Sequence, residues 1–256
     1  MNVPASRSLF HTMHQRGEPL ILPNAWDTGS AKSIAAAGAR AIATSSYAVS
    51  EAWGYSDGEQ LPRELCWQVA AHVIKSVSVP VTVDFESGYG QTREEIGWSI
   101  LQLDRLGAAG CNLEDSDPSS RQMRPVVEQS DRLSAAREAA PRENGLFINA
   151  RTDLFLNNDP ARHGPLIGEA IARAKAYADA GADGFFAPGL VDPGLIAKLA
   201  DGISLPLNIM VMDLEANLGP LASAGVSRIS FGPAPYVTVM NHLRKASTKL
   251  IEAAHG

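Results

Sequence analysis

Short apolar runs alternate along the chain with longer amphipathic stretches. Eight of the runs are expected to be strands, and they cover residues 20–22, 41–43, 79–85, 111–113, 146–150, 184–186, 205–210 and 228–231. Helical spacing is found between them, at 31–37, 62–76, 93–106, 129–140, 167–180, 193–199 and 215–224. Strict alternation of apolar strands and helices is typical of a parallel sheet covered by helices.

Small-residue breaks mark the expected ends of four helices. Ala-Gly or Gly-Ala pairs stand at 36–39, 107–110, 179–182 and 223–226. A glycine after the last helical turn takes the left-handed conformation that returns the chain to a strand. Eight strand–helix repeats in 256 residues favour an α/β fold of the (β/α)8 TIM-barrel type. An open doubly wound sheet is the alternative, although no GxGxxG follows the first strand.

The domain organisation follows from this repeat. We expect one barrel domain over residues 1–256, ending in an amphipathic helix at 236–254. That last helix either closes its own barrel or docks on a neighbouring subunit, and its spacing does not decide between the two.

Composition limits the partners and the compartment. The chain is 45% hydrophobic and 20% charged, which suits a soluble protein with a large core. Its net charge of −6 and the lack of a basic run argue against nucleic acid and anionic membranes as partners. No apolar stretch has the length of a leader or a membrane span, so a cytoplasmic location is expected. Cys66 and Cys111 are expected to be reduced core thiols.

Acidic side chains stand where the third and fourth strands end. Asp84 and Glu86 follow one strand, and Glu114 ends the other. Carboxylates at neighbouring strand ends would repel each other unless a cation lay between them. Together with Asp57, they offer the hard oxygen donors that Mg²⁺ or Mn²⁺ prefers. We therefore predict a Mg²⁺ site held by Asp84, Glu86 and Glu114; the alternative is that these groups only cap a helix or a turn.

Groups that suit an acidic substrate stand at other strand ends. Arg151 ends the fifth strand, where its guanidinium could grip a carboxylate in a bidentate manner. A bracing ion pair with Asp153 or Glu114 is the alternative. Ser45 and Ser46 lie on a small-residue turn whose N–H groups could bind a second anionic oxygen. These groups predict a site for a small acid that chelates Mg²⁺, with an enolate stabilised by the metal.

Other candidates flank this site. Trp26 follows the first strand and could wall a pocket, while Asn208 lies inside the apolar run of the seventh strand. Two polar loops, 50–61 and 116–129, follow the second and fourth strands. Each loop is either a lid or an ordinary surface segment.

Several motifs together resemble the isocitrate lyase/phosphoenolpyruvate mutase superfamily. They are DFESGYG at 84–90, LED at 113–115, ARTD at 150–153 and PLNIM at 206–210. The first is similar to the D-x-[DE]-x-G-[YF]-G metal motif of the superfamily, and the second to its I-E-D. The similarity runs from residue 22 to residue 233, almost the whole chain.

The resemblance implies a Mg²⁺-dependent (β/α)8 barrel that acts on α-oxo or α-hydroxy carboxylates. Members make or break a C–C or P–C bond through an enolate. It also implies roles for residues: Ser45, Ser46 and Tyr47 would hold the carboxylate and oxo end of the substrate, Arg151 its oxygens, and Asp57, Asp84, Glu86 and Glu114 the metal. It further implies a homotetramer, a dimer of dimers in which the last helix is swapped between subunits.

The chain departs from the superfamily pattern in the loop after the fourth strand. Isocitrate-cleaving members carry K-[KR]-C-G-H there, and the mutase carries K-T-N-S, but residues 117–125 read DPSSRQMRP. The sixth strand ends FAPG at 186–189, where the isocitrate-cleaving members place a Glu. We therefore do not expect an isocitrate or methylisocitrate lyase.

The leading hypothesis is a Mg²⁺-dependent lyase that cleaves or decarboxylates an oxaloacetate-like acid. Asp57 and Arg151 are the expected catalytic residues, with Arg121 or Arg124 meeting the distal anionic group of the substrate. Ser45, Ser46, Tyr47, Trp26 and Asn208 are expected to bind the substrate. One alternative is P–C chemistry, as in phosphonopyruvate hydrolysis or mutation. The other is a metal-dependent α-oxo acid binder without efficient turnover, because the 116–129 loop offers no obvious proton donor.

Overall fold

Nine parallel strands form one sheet in the computed structural model, which describes residues 2–254. They are β1 Leu20–Leu22, β2 Asn24–Ala25, β3 Ile42–Thr44, β4 Val81–Asp84, β5 Gly110–Glu114, β6 Phe147–Arg151, β7 Gly184–Phe186, β8 Leu207–Met210 and β9 Arg228–Ser230. The helices are α1 Val3–Thr12, α2 Thr28–Ala36, α3 Ser46–Ala52, α4 Arg63–Ser76, α5 Arg93–Arg105, α6 Val126–Ala139, α7 His163–Asp179, α8 Pro193–Gly202, α9 Gly219–Ser223 and α10 Ala234–Ala253. Two short 3-10 helices cover Arg142–Asn144 and Pro160–Arg162.

The strand order closes the sheet into a barrel. From one edge to the other it runs β1-β9-β8-β7-β6-β5-β4-β3-β2. Only Pro23 separates β1 from β2, so the two edges of the sheet belong to one chain segment. Because β1 and β2 together occupy one strand position of the barrel, the nine strands fill eight positions. Proline has no N–H to give to the sheet, which explains why this segment is divided into two strands. The predicted (β/α)8 barrel is confirmed, and the open doubly wound sheet is wrong.

The barrel encloses an apolar core of its own at the amino-terminal ends of the strands. Leu20 and Leu22 of β1 and Phe147 of β6 meet Phe10 and Met13 of α1, which covers this end. The rings of Phe10 and Phe147 cross edge to face, with centroids 5.6 Å apart. A second, larger apolar layer lies between the sheet and the surrounding helices.

Two helices were not predicted from the apolar pattern. The first, α1, has a polar sequence in which few positions face the core. The second, α3, begins directly at the end of β3, where Ser45 caps it by accepting a hydrogen bond from Ala48 N. The expected loop at 50–61 therefore begins as helix, and the serine turn at 45–46 is a helix start. The last helix begins at Ala234 instead of residue 236.

Both cysteines are buried and free, as predicted. No helix within residues 2–254 combines the length and the hydrophobicity that crossing a bilayer requires.

The closed amino-terminal end of the barrel leads to a stability prediction. Phe147→Ala should lower the free energy of unfolding by about 3–5 kcal/mol, because it leaves a cavity beneath Phe10. Urea unfolding followed by circular dichroism measures this change. Val127→Ala, on the exposed face of α6 with the side chain 82% accessible, is the control and should change stability by about 0.5 kcal/mol or less. Equal effects of the two changes would contradict the packing described here.

Candidate active site

A cavity of about 140 Å³ lies at the carboxyl ends of the strands. Its lining residues are Asn24, Ser45, Ser46, Tyr47, Asp57, Asp84, Asn112, Arg151, Phe186, Met210, Arg228, Ser230, Gly232 and Pro233. Pockets for drug-sized ligands measure about 300–1,000 Å³. This cavity therefore fits a ligand of only a few carbon atoms. It brings together six of the predicted site residues: Ser45, Ser46, Tyr47, Asp57, Asp84 and Arg151.

Asp84 is fixed in the cavity wall by hydrogen bonds to both carboxylate oxygens. Its Oδ2 accepts from the backbone N–H of Ser46 at 3.0 Å and from the Ser46 hydroxyl at 2.9 Å. Its Oδ1 accepts from the Asn112 side-chain amide at 3.1 Å. The Ser46 N–H, expected to bind a substrate oxygen, is thus used to orient Asp84. Among residues 2–254, no arginine forms an ion pair with Asp84.

Arg151 lies between two carboxylates while it lines the cavity. Its Nη1 is 2.8 Å from Glu114 Oε2, and its Nε donates to Asp153 Oδ1 at 2.7 Å. Burial lowers the pKa of Arg151, but Glu114 and Asp153 outweigh burial and hold it above its ordinary value. The bracing ion pairs weighed as an alternative are present. They fix the guanidinium rigidly at the cavity rather than remove it.

A strained turn follows β4 and holds Glu86 away from the cavity lining. Glu86 and Tyr89 have positive φ angles of 48° and 52°. Glu86 is 3% exposed and accepts hydrogen bonds from the Tyr89 hydroxyl at 2.8 Å and from the backbone N–H of Glu59. The Glu59 carboxylate in turn accepts from the N–H groups of Ser87 at 3.1 Å and Tyr89 at 2.9 Å. Glu59, which the sequence did not single out, ties the loop that carries Asp57 to this turn.

Asp57 carries the orphaned oxygen of the site. Its Oδ1 is buried and has no hydrogen-bond partner in the part of the chain that the structure describes. Burial raises the pKa of Asp57, and the charge of Asp84 raises it further. Burial raises the pKa of Glu86 to about 7, with Asp57 as the next cause. Burial and neighbouring carboxylates therefore disfavour the ionised forms of Asp57 and Glu86, as expected where a cation would balance them.

The Mg²⁺ predicted from the sequence requires hard oxygen donors that face the cavity. Within residues 2–254, no three His, Cys, Asp or Glu side chains lie close enough to hold a metal ion alone. Mg²⁺ keeps several waters and needs only one or two protein carboxylates. Asp57 and Asp84 on the cavity wall supply hard oxygens of that kind, and the unpartnered Asp57 Oδ1 is available. The donor set fits a hydrated Mg²⁺ at Asp57 and Asp84, with Glu86 and Glu114 outside the cavity lining.

The remaining predicted residues lie outside the lining. Trp26 packs edge to face on Tyr236 of α10, with ring centroids 5.2 Å apart. Asn208 is buried beneath the cavity and donates to the Ser230 hydroxyl at 3.2 Å. Arg121 lies on the 116–129 loop, and its Nη2 is 3.4 Å from the Asp57 carbonyl oxygen.

Arg124 is engaged by carboxylates of its own neighbourhood. Its Nη2 is 3.0 Å from Asp117 Oδ2, and its Nε is 3.1 Å from Glu128 Oε1. Its Nη1 donates to the Ser116 carbonyl. The side chain is 4% exposed, so Arg124 braces the base of the loop and does not reach the cavity.

Several lining residues were missed because they lie within strands. Asn112 stands two positions before Glu114 in β5, and Arg228 two positions before Ser230 in β9. Side chains two apart on a strand share a face, so both point into the barrel with the residue at the strand end. A polar residue at such an inward position is the sequence signal that could have identified them.

Comparisons with known proteins give consistent matches. The model of the phosphoenolpyruvate phosphomutase family matches residues 10–251. The crystal structure of a provisionally named phosphonomutase from Burkholderia cenocepacia J2315 is 44% identical, covers 97% of this chain and 99% of its own, and has a TM-score of 0.94. An uncharacterised protein of Mycobacterium tuberculosis H37Rv is 34% identical over 227 residues, 89% of this chain and 83% of its own. An oxaloacetate decarboxylase of Paraburkholderia xenovorans LB400 is 32% identical over 135 residues, 50% of this chain and 42% of its own.

The raised pKa of Glu86 leads to a pH prediction for the metal-free protein. Its ordinary value is 4.5 and its value in the fold is about 7. Between these values the folded protein keeps a proton that the unfolded chain has lost, so stability falls as pH rises. Glu86→Gln should remove this fall, which amounts to about 3 kcal/mol.

Calorimetric unfolding in EDTA between pH 4.5 and 7.5 measures the effect. The control is Glu94→Gln, which changes an exposed carboxylate on α5 and should keep the wild-type slope. If Glu86→Gln also keeps that slope, the carboxyl group does not titrate as its burial requires.

Proposed function

The chain belongs to the phosphoenolpyruvate phosphomutase family, within the isocitrate lyase/phosphoenolpyruvate mutase superfamily that its motifs resemble, and we propose that it is a Mg²⁺-dependent lyase for a small α-oxo acid. C–C cleavage or decarboxylation of an oxaloacetate-like substrate is the proposed reaction. The observation that carries the proposal is the meeting of Asp57, Asp84 and Arg151 around a cavity of about 140 Å³. Such a cavity can hold one small acid between anionic and cationic walls.

Binding of the oxo acid follows from the fixed groups of the cavity. Arg151 faces the carboxylate of the substrate with a guanidinium already held in place by Glu114 and Asp153. The hydroxyls of Tyr47 and Ser230 line the same cavity and can donate to the remaining oxygens. Mg²⁺, when bound, supplies Lewis-acid polarisation of the oxo and carboxylate oxygens.

The proposed chemical step needs no base to start it, because the carboxylate that leaves is already ionised. The C–C bond to the leaving carboxylate breaks, CO₂ departs, and the electron pair moves toward the oxo oxygen. Charge develops on that oxygen, where hydrogen-bond donors stabilise it. A proton from solvent, relayed by a water that the Asp57 carboxylate holds in the cavity, then reaches the carbon that lost CO₂. This assignment provides a proton route that does not require a proton donor in the 116–129 loop.

P–C chemistry on phosphonopyruvate is the second candidate. It is favoured by the 44% identity to the provisionally named phosphonomutase over nearly the whole chain. The oxaloacetate candidate is favoured by the similarity to an oxaloacetate decarboxylase, which spans half of this chain. The same cavity would bind the oxo acid end of either substrate. Side-by-side assays of oxaloacetate and phosphonopyruvate with Mg²⁺ distinguish them, and pyruvate released from phosphonopyruvate alone would refute the leading proposal.

Asp84→Asn should reduce Mg²⁺-dependent turnover at least about 100-fold, because it removes the charge that Ser46 and Asn112 orient in the cavity. Pyruvate formation from oxaloacetate, corrected for the spontaneous reaction, measures the change. Asp179→Asn, on the exposed end of α7, is the matched control and should retain wild-type activity.

Two outcomes would contradict the proposal. Full activity of Asp84→Asn would show that the reaction takes place elsewhere. The absence of turnover with any α-oxo acid, together with Mg²⁺-dependent binding of oxalate, would favour a binding protein over an enzyme.

We further propose that α10 joins subunits into a homo-oligomer, a dimer of dimers. Its amino-terminal Tyr236 packs on Trp26 of the barrel. Farther along the helix, the apolar side chains of Leu243, Leu250 and Ile251 are 57%, 73% and 61% exposed. A long helix with such a face needs a partner surface to bury it.

Leu243→Glu combined with Leu250→Glu should therefore break the oligomer, since each change would bury a charge in the interface. Light scattering after size-exclusion chromatography measures the mass. Val127→Glu, at an isolated exposed valine of α6, should leave the mass unchanged. A monomeric wild-type protein would refute this second proposal.

A further inference from the structure

A polar layer crosses the middle of the barrel below the cavity. Asn112, Asn149, Asn208 and Arg228 point into it from β5, β6, β8 and β9. The amide of Asn149 donates to Asn112 Oδ1 at 2.9 Å and to Asn208 Oδ1 at 3.0 Å. Barrel interiors are ordinarily filled by apolar branched side chains. An arginine in this layer needs a reason.

Arg228 is a buried cation with no carboxylate in contact among residues 2–254. It is 1% exposed and lines the floor of the cavity. Its Nη2 donates to Asn112 Oδ1 at 3.3 Å, while Nε and Nη1 have no acceptor. Burial lowers its pKa to about 9, against the effect of Asp84, so the group is charged at neutral pH. Leaving such a charge unpaired in the interior is costly.

The aromatic neighbours of Arg228 supply no counter-charge on the amino-terminal side. On the amino-terminal side, the Phe10 ring centroid is 6.0 Å from its Cζ. His14 covers the same side, and burial together with Arg228 lowers the pKa of His14 to about 3, so this ring is neutral. Asp84 is reached only through the Asn112 amide. A partner anion for the guanidinium must therefore come from the cavity.

We propose that Arg228 binds the second carboxylate of a dicarboxylic acid on the cavity floor. The inference rests on the proposed function and adds to it the residue that binds the distal carboxylate of the dicarboxylic substrate. The two arginines that line the cavity, Arg151 and Arg228, then meet the two anionic ends of one molecule. The role that the sequence suggested for Arg121 or Arg124 passes to Arg228. An acid that lacks the second carboxylate leaves Arg228 unpaired and binds more weakly.

Malate and lactate form a matched pair of probes, because lactate is malate with the second carboxylate replaced by hydrogen. Calorimetric titration of the full-length protein in Mg²⁺ should show malate binding about 10- to 100-fold more tightly than lactate. Arg228→Met, which keeps the length and apolar stem, should reduce malate affinity to the lactate level. It should leave lactate affinity within about 3-fold. Arg228→Lys, which keeps the charge, should restore part of the preference.

The other outcomes are equally informative. If Arg228→Met weakens both acids alike, the arginine acts through Asn112 on Asp84, and the inference is overturned. The same conclusion follows if Arg121→Met removes the preference and Arg228→Met does not. Equal binding of both acids by the wild type overturns the inference alone. Failure of both acids to bind the folded wild type would refute the proposed function as well.

A crystal structure of the wild type with malate and Mg²⁺ tests the inference if Arg228→Met does not fold by circular dichroism. A malate carboxylate oxygen about 3 Å from the Arg228 guanidinium supports the inference. Both carboxylates placed away from Arg228 would overturn it.

Discussion

The parallel register of β4, β5 and β6 sets the charge pattern on which the site depends. Asp84 pairs with Asn112 across β4 and β5, and Glu114 pairs with Arg151 across β5 and β6. Acid, amide, acid and guanidinium are thereby placed next to one another by main-chain hydrogen bonds, before any loop contributes. Arg151 balances Glu114 and leaves Asp84 with hydrogen-bond donors only. The remaining negative charge at Asp84 and Asp57 is what makes this rim suited to a cation and a chelating acid.

The loops stabilise this arrangement instead of creating it. Glu59 accepts hydrogen bonds from the turn that contains Ser87 and Tyr89, while its own N–H binds Glu86. Two left-handed residues in that turn carry conformational strain, which a folded protein retains only where surrounding contacts overdetermine the backbone. The same contacts bring Asp57 over the cavity. The same contacts therefore fix both the conformation of the turn at 86–89 and the position of Asp57.

Much of the fold could be predicted because alternating apolar runs and helices leave few topologies open. The strand ends were predictable for the same reason: a barrel collects them at one face, so Asp84 and Arg151 were found from position and residue type. The role of Ser46 could not be predicted. Helix α3 begins directly after β3 and shows no apolar periodicity, so the sequence did not indicate that the Ser46 N–H binds Asp84. Arg228 could not be predicted in this way, because functional groups of a barrel are expected at strand ends and this side chain points inward from a strand start.

The barrel interior changes from apolar at α1, through the amide layer, to acidic at the cavity, and this order has a physical consequence. A rim of carboxylates over an apolar interior would have only solvent to offset its charge. Here Arg228 lies two residues before Ser230 in β9. Burial lowers the pKa of Arg228, and the charge of Asp84 opposes this effect. The amides transmit orientation between them without removing either charge, since Asn112 donates to Asp84 and accepts from Arg228. Separated opposite charges of this kind stabilise a folded barrel less than a direct ion pair would. They leave both Asp84 and Arg228 able to bind a ligand. The proposed substrate specificity therefore depends on residues of the strands, and it does not require the 116–129 loop to match the superfamily pattern.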